Sequence, residues 1–321
     1  MKDVAIFVKS YAPDLPLVHR LLDSTSKHNH DRISVFISVP ADDVKAFQNL
    51  SRRFADVSVL PDDYFKIKTP DQNMWGMAPG YIQQQVIKLN VQRLAEARNY
   101  LILDSDTYFI RDFETKDFIA PDGTGLTVFA EDKDLVADPA WSSFAEFRAK
   151  RLDLVGDRLG VPALSRATSH NSTVFQASVL SDLHDWRHSE NLSLLDLMRI
   201  APIEFTWYNY FLVKYCPERL VRVEPFIKMF HTRSEYRRLI GAGFTHESFR
   251  RAYLGLCINS NWAGTRQGRL VSRLERGSRI AGLVVKTDQA RYKASQKFKA
   301  FRNDHLPRAP RRPSQASEVT S

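Results

Sequence analysis

The chain has 321 residues, of which 43% are hydrophobic and 26% charged, and its formal net charge is +9. This length and composition fit an ordinary globular chain with a substantial core, built as one large or two modest domains. No apolar run approaches a membrane span, and the run Val4 to Val8 is too short for a signal peptide. We therefore expect neither a membrane-spanning protein nor a secreted one.

The two cysteines, Cys216 and Cys257, both lie in apolar surroundings. Buried thiols are commoner in such a context than a disulfide or a metal site. Together with the missing signal peptide, this predicts a cytoplasmic location.

The first 60 residues alternate between apolar runs and helical periodicity. Strands are predicted at Val4 to Val8, Ile33 to Val39 and Val57 to Leu60, and helices at Leu15 to Lys27 and Asp42 to Phe54. A βαβαβ order is typical of α/β domains with a mostly parallel sheet flanked by helices. In such domains ligands bind beyond the carboxyl ends of the strands.

A helix is then predicted from Pro79 to Arg98, with one apolar face and one polar stripe. The stripe consists of Tyr81, Gln85, Lys88 and Gln92. Such a stripe either meets solvent or faces a ligand. In the second case Lys88 is a counter-charge for a phosphate or for Asp104.

The apolar run Tyr100 to Leu103 ends abruptly in Asp104, Ser105 and Asp106. Four apolar residues without alternation predict a strand that is covered on both faces. Two carboxylates at its end suit a hard divalent cation, whose remaining positions substrate phosphates commonly fill. The pattern indicates metal-assisted departure of a diphosphate. The alternative is a turn in which one Asp caps the next segment.

The second half of the chain has weaker signals. A strand at Leu126 to Ala130 precedes an acidic stretch containing Asp132, and a helix is predicted from Trp141 to Leu159. His170 and Asn171 precede the predicted strand Thr173 to Gln176. A lone His is more often a structural residue than a ligand.

Residues 202–211 place Glu204 within an aromatic cluster that includes Trp207. Aromatic faces stack on sugar rings, and a carboxylate binds hydroxyl groups. Burial raises the pKa of a carboxyl group, which suits a general base. The alternative is a helix start with Glu204 in its first turn and core aromatics behind it.

The positive charge is concentrated at the end of the chain. Residues 265–321 have a net charge of +10, and the remainder has −1. Apolar residues alternate with arginines over 265–302, which predicts basic amphipathic helices of the kind that bind anionic membrane surfaces. Residues 303–321 predict a disordered tail. A nucleic-acid-binding module is the rival interpretation, but the tail has only Tyr292, Phe298 and Phe301 for base stacking, so we expect no nucleic acid.

The segment Tyr81 to Phe113, with Gln83, Gln84, Gln85, Lys88 and the run Leu-Asp-Ser-Asp-Thr-Tyr-Phe, resembles the centre of GT-A-fold nucleotide-sugar glycosyltransferases. It is most similar to bacterial relatives of the family 8 glycosyltransferases. The resemblance implies a GT-A-type, Rossmann-like fold. It also implies that Asp104 and Asp106 bind Mn²⁺ or Mg²⁺ together with the diphosphate of the donor.

The resemblance extends to further residues by their order in the chain. His231 would be a third metal ligand, with His246 as its rival, and Glu204 or Asp132 would activate or orient the acceptor hydroxyl. The expected substrate contacts are Ser10, Tyr11, Gln85, Lys88, Ser105, His170, Asn171, Trp207 and Asn261.

The predicted organisation is a catalytic domain at 1–264, with a nucleotide-binding half at 1–115 and an acceptor half at 116–264, followed by the basic extension and the tail. The predicted reaction moves a sugar from a nucleotide diphosphate sugar, with UDP favoured, to a glycan or lipid-linked acceptor in bacterial surface polysaccharide or lipopolysaccharide synthesis. The basic extension would hold the enzyme on the inner face of the cell membrane.

One rival enzyme class is the haloacid-dehalogenase-type phosphatase, with Asp104 as nucleophile and Asp106 as acid. Two features disfavour it. Thr107 comes one position earlier than the Thr that follows the Asp pair in that enzyme class, and the strand begins about 100 residues into the chain.

Overall fold

The computed structural model describes residues 1–131, 133, 142–162, 172–230 and 233–259. Within these ranges the strands are β1 Lys2–Lys9, β2 Val35–Val39, β3 Val57–Pro61, β4 Ala97–Asp104, β5 Thr107–Phe109, β6 Leu126–Val128, β7 Thr173–Gln176, β8 Val221–Val223, β9 Ile227–Phe230 and β10 Gly255–Ile258. The α-helices are α1 Leu15–His28, α2 Val44–Ser51, α3 Pro79–Lys88, α4 Ser142–Leu159, α5 Ala177–Ser189, α6 Leu194–Ile200, α7 Glu204–Tyr215, α8 Arg233–Gly241 and α9 His246–Arg250.

The central sheet has five strands in the order β3-β2-β1-β4-β7. Strands β1 to β4 pair in parallel, and β7 joins the edge of β4 antiparallel to it. Helices pack on both faces. The predicted α/β class, with a mixed and mostly parallel sheet between helices, is therefore confirmed.

The continuous apolar runs reflect burial on both faces of the sheet. On one face Leu101 and Leu103 of β4 join a core with residues of α1 and α2. On the other face Tyr100 and Ile102 join a core with residues of α3 and α5. Because both faces are covered, β4 shows no alternation of apolar and polar residues, as the sequence predicted.

The prediction of one helix from Pro79 to Arg98 is wrong in its second half. Helix α3 ends at Lys88, a short 3₁₀ turn covers Val91–Leu94, and β4 begins at Ala97. Ala95 ends the turn in a left-handed conformation, with φ 53°. Residues 88–97, where the break falls, contain no Gly or Pro, and their apolar residues keep helical spacing, so no sequence signal marks the break.

A second sheet, in the order β5-β10-β9, adjoins the end of β4. Its strand β10 lies antiparallel to β5, with Cys257 opposite Thr107, and this pairing brings Cys257 beside Asp106. Strands β6 and β8 form a separate parallel pair.

No helix within the described ranges is long and apolar enough to cross a membrane. The predicted basic extension and tail, 265–321, lie outside the described residues. The division into catalytic domain, extension and tail stays a prediction.

Candidate functional site

The carboxyl ends of β1, β2 and β4 meet at one edge of the central sheet. The register places Lys9 opposite both Ser38 and Asp104. Just beyond the strands, the Ser105 hydroxyl donates to Ser10 Oγ at 3.0 Å, and both serines are buried. The predicted Asp pair and the loop after β1 therefore lie side by side, at the edge where α/β sheets bind ligands.

Asp104 and Asp106 differ in their environments. The Asp104 side chain is 28% exposed, whereas Asp106 is buried. The Cys257 thiol donates to Asp106 Oδ1 at 3.1 Å, and Arg20 Nη2 donates to the Asp106 carbonyl oxygen at 3.1 Å. Elements from two parts of the chain, α1 and β10, thus fix the position of the second carboxylate.

Lys88 links Asp104 to Glu204. Its ammonium donates to Asp104 Oδ1 at 2.6 Å and to Glu204 Oε1 at 2.8 Å, and the side chain is fully buried. Burial alone would lower the pKa of Lys88, but the two carboxylates outweigh it and raise that pKa. For Glu204 burial dominates and raises the pKa, despite the opposing effect of Lys88. The sequence predicted that Lys88 would pair with a phosphate or with Asp104, and the structure pairs it with Asp104.

Asp14 is a third carboxylate at this edge, in the 3₁₀ turn that precedes α1. Burial raises its pKa to about 6, and the negative charges of Asp106 and Asp104 add to the shift, while a hydrogen bond from Ser105 opposes it. Three carboxylates at one sheet edge, which raise each other's cost of ionisation, favour a bound cation.

The donor set fits a hard divalent cation with two protein carboxylates, which leaves positions for water and phosphate oxygens. In the described part of the chain, no group of three or more His, Cys, Asp and Glu side chains is placed to hold a metal ion. His231, the predicted third ligand, lies outside the described residues. His246 lies in α9, where its Nε2 is 3.1 Å from the Tyr236 hydroxyl.

Beneath the loop after β1 lies a buried network of three residues, Lys9, Ser38 and Asp62, here called the strand-end network. Lys9 Nζ is 3.1 Å from Asp62 Oδ2 and donates to the Ser10 carbonyl oxygen at 2.6 Å. The Ser38 hydroxyl donates to Asp62 Oδ1 at 2.6 Å. Burial lowers the pKa of Lys9, and the charge of Asp62 opposes that shift. The network fixes the backbone at Ser10.

A second group of polar residues near Lys88 comes from α3 and α4. This α3–α4 cluster consists of Tyr81, Gln85 and Arg151. Tyr81 is 43% exposed and lies at the rim of the cluster. Partial removal from water raises its pKa, and the charge of Glu204 adds to the shift. Burial lowers the pKa of Arg151, whereas Tyr81 and Glu204 raise it. The charges of Glu204 and Lys88 therefore act on this cluster.

The structure brings together several predicted site residues and separates others. Six of them lie together at the carboxyl ends of the strands: Ser10, Ser105, Lys88, Asp104, Asp106 and Glu204. Gln85 lies one helical turn before Lys88. Tyr11 is exposed beside Ser10. Trp207 is fully buried, and its indole N–H donates to the Ala201 carbonyl oxygen at 2.9 Å, so it lies in the core. The predicted residues Asp132, His170, Asn171, His231 and Asn261 lie outside the described residues.

Sequence reasoning missed the roles of Asp14, Asp62, Arg151 and Cys257. A signal for Arg151 was present, because Arg148 and Arg151 fall at helical spacing with the apolar Phe147 and Val155. Charges at core positions of a helix indicate either an ion pair or a ligand. The contact of Cys257 with Asp106 joins positions 151 residues apart, and no local pattern encodes it.

Comparisons with known proteins match one family model and a set of solved structures. The crystal structure of mouse xyloside xylosyltransferase 1 in its apo form aligns with 80% of this chain and 98% of its own, at 10% identity and a TM-score of 0.46. No curated protein matches the sequence. The model of DUF6492, described as a family of unknown function, matches residues 5–190. The chain therefore belongs to the DUF6492 family.

Proposed function

We propose that this protein is a metal-dependent glycosyltransferase that uses a nucleotide diphosphate sugar. One observation carries the proposal: Asp104 and Asp106 lie at the carboxyl end of a central strand, in a region where burial and the charges of Asp106 and Asp104 raise the pKa of Asp14. The likeness of Tyr81 to Phe113 to GT-A-fold enzymes, including bacterial relatives of family 8, supports the same reaction.

In this proposal Asp104 and Asp106 hold Mn²⁺ or Mg²⁺. The bound cation would supply charge neutralisation to the departing diphosphate. Cys257 and Arg20 keep Asp106 in place, so that its carboxylate needs little reordering when the cation binds. Ser10 and Tyr11 line the nucleobase side, where the strand-end network fixes the backbone.

Lys88 and Glu204 act as a unit in the proposed mechanism. Glu204 holds the Lys88 ammonium against Asp104, so the positive charge stays at the diphosphate side of the crevice. Because its carboxylate is buried against an ammonium, Glu204 is better suited to positioning Lys88 than to removing a proton from the acceptor. The expectation that Glu204 or Asp132 activates the acceptor stays a prediction.

The finer features of the function are proposals from the sequence. A UDP-sugar donor, a glycan or lipid-linked acceptor and a role in bacterial surface polysaccharide synthesis follow from the resemblance. Binding to an anionic inner membrane surface follows from the net charge of +10 over residues 265–321. Removing those residues should abolish binding to anionic vesicles and leave donor hydrolysis intact.

Calorimetric titration of UDP and GDP, with and without Mn²⁺, tests the proposed function. The wild type should bind one of the two nucleotides only when Mn²⁺ is present, and Asp104→Ala/Asp106→Ala should bind neither. The variant Asp122→Ala is a matched control, because Asp122 is an exposed turn residue far from the strand ends. Nucleotide binding that ignores both the metal and the Asp pair would refute the proposal.

The phosphatase alternative has its own positive result. A haloacid-dehalogenase-type enzyme forms an aspartyl phosphate, so labelling of Asp104 by a phosphate ester substrate would replace the glycosyltransferase proposal. The glycosyltransferase makes no such intermediate on Asp104.

A further inference from the structure

We propose that the α3–α4 cluster binds the carboxylate of an acidic sugar, and that the enzyme accordingly prefers a uronic-acid donor to its neutral counterpart. This inference rests on the proposed function, since it names the sugar that the nucleotide carries. The recognition residues are Arg151 and Gln85, with Tyr81 at the open side of the cluster.

Arg151 is a buried cation whose bonding capacity is incompletely used. Only 6% of the residue is exposed, and its Nε is buried without a hydrogen-bond partner among the described residues. Its guanidinium stacks on the Phe147 ring, 4.3 Å from the centroid, and Phe147 is in turn packed edge-on against Trp75. The aromatic contact holds the guanidinium plane in place without satisfying its N–H groups.

Gln85, on α3, shows the same feature. The residue is 1% exposed, and neither its Oε1 nor its Nε2 has a hydrogen-bond partner in the described part of the chain. Buried amides are nearly always paired, so an amide with both ends unpaired indicates a missing partner. Gln85 lies one turn from Tyr81 and one turn from Lys88, on the side of α3 that faces Glu204.

Arg151 shares its nearby carboxylate with Lys88. Glu204 is the carboxylate that acts on Arg151, but its Oε1 already accepts from Lys88. Arg148, a buried residue one turn earlier on α4, adds a second positive charge that acts on Arg151 unfavourably. A carboxylate bound at Arg151 would supply the counter-charge that Glu204 shares with Lys88.

The chemistry of the two side chains points to a carboxylate. A guanidinium presents N–H groups in a planar fork that matches the two oxygens of a carboxylate, and the Gln85 amide can donate a further hydrogen bond. Gln85 lies one turn before Lys88, which donates to Asp104 at 2.6 Å and to Glu204 at 2.8 Å, so the cluster adjoins the proposed diphosphate site. A sugar attached to that diphosphate is therefore the ligand whose carboxylate can reach Arg151.

Titration of the full-length protein with UDP-glucuronate, UDP-glucose and UDP, in the presence of Mn²⁺, tests the inference. UDP-glucuronate differs from UDP-glucose only in a carboxylate that replaces the hydroxymethyl group of the sugar. The wild type should bind UDP-glucuronate about tenfold or more tightly than UDP-glucose, because a neutral sugar leaves the buried polar groups unpaired. Arg151→Gln should remove this preference and leave the affinities for UDP-glucose and UDP unchanged.

Two further variants make the test specific. Arg151→Lys keeps the charge without the fork and should retain only part of the preference. Arg158→Gln, two turns along α4 at an exposed ion pair with Glu190, should keep the full preference. Equal loss of affinity for all three ligands in Arg151→Gln would assign Arg151 to the diphosphate and overturn the inference. Equal affinity of the wild type for both sugars would overturn it as well.

Failure of the proposed function gives a different result. In that case no nucleotide binds in a way that depends on Asp104 and Asp106, and free glucuronate and glucose at millimolar concentration become the probes. Binding of glucuronate alone, lost in Arg151→Gln, would support the carboxylate site by itself. Binding of neither, or of both, would overturn it.

Discussion

Two buried polar regions flank the strand ends, and they differ in how fully their groups are paired. In the strand-end network, Lys9 bonds to Asp62 and to a backbone carbonyl, and Ser38 bonds to the other Asp62 oxygen. In the α3–α4 cluster, by contrast, both ends of the Gln85 amide and the Arg151 Nε have no partner among the described residues.

The difference distinguishes charged groups that stabilise the fold from polar groups that are available to a ligand. A buried ion pair with its hydrogen bonds satisfied fixes local geometry, and its members are unavailable to a ligand. Buried polar groups without partners reduce stability, and they persist where a ligand completes them. The strand-end network therefore shapes the loop at Ser10 and Tyr11, and the α3–α4 cluster supplies recognition.

Breaking the paired region should have the largest effect on stability. Asp62→Leu leaves Lys9 buried without its counter-charge, and we expect a loss of about 3–5 kcal/mol in the free energy of unfolding, measured by urea denaturation. The double variant Lys9→Met/Asp62→Leu removes both charges and should recover most of that loss. A single-variant loss as small as that of an exposed ion pair would show that the network is not structural.

The unpaired region should respond in the opposite direction. Gln85→Met keeps the size of the side chain and removes two unpaired polar atoms, so the ligand-free protein should gain about 1–3 kcal/mol in stability. The same variant should bind the donor less tightly. As a control, Gln48→Met changes an exposed glutamine of α2 and should alter neither property. Destabilisation by Gln85→Met would mean that the amide is already satisfied in the folded protein.

Cys257 shares features of both regions, because its thiol is buried and paired, and its partner is a proposed metal ligand. Cys257→Val removes the hydrogen bond to Asp106 at similar volume, and the Mn²⁺ affinity should fall by about tenfold, as is typical of residues that orient a ligand. Cys216→Val is the matched control, since that thiol is also buried but faces Asp182 at 3.7 Å. Equal Mn²⁺ affinity in the two variants would remove Cys257 from the metal site.

The smallest expected effect concerns Asp14 and depends on pH. Its pKa is raised from 3.8 to about 6, so the folded protein retains a proton that the unfolded chain has lost in this interval. Stability should therefore fall as the pH rises between these values and stay lower above them. Asp14→Asn should be more stable than the wild type by about 1 kcal/mol above the raised pKa, after allowance for solvent screening, and equal to it below 3.8.

Thermal denaturation of Asp14→Asn and the wild type across this pH range measures the difference. The variant Asp122→Asn, at an exposed turn, should show no such gain at high pH. A gain for Asp14→Asn that is the same at every pH would contradict the explanation by burial and charge repulsion.

Sequence patterns predicted the central sheet well, because each of its strands is a local apolar run between polar boundaries. The strand at Tyr100 to Leu103, its cover on both faces and the position of Asp104 and Asp106 at its end all follow from a few adjacent residues. The pairing of Lys88 with Asp104 was one of two weighed alternatives, since the helix before the strand placed a cation within reach.

Contacts between distant segments could not be predicted in this way. Asp62 and Lys9 meet because β3 and β1 end at the same edge, and Glu204 reaches Lys88 only through the packing of α7 against α3. Trp207 was assigned to sugar binding from composition, but aromatic residues in a helix start serve a core equally well, and its burial is set by tertiary packing.

Electron paramagnetic resonance of Mn²⁺ tests the metal site most directly, because it measures free metal ion without any assumption about the donor sugar. With UDP or GDP present, the wild type should remove Mn²⁺ from solution at a stoichiometry of one per chain, and Asp104→Asn/Asp106→Asn should leave the signal of free Mn²⁺ unchanged. If the wild type and the double variant take up Mn²⁺ equally, the Asp pair is not the metal site, and the glycosyltransferase proposal loses the observation that carries it.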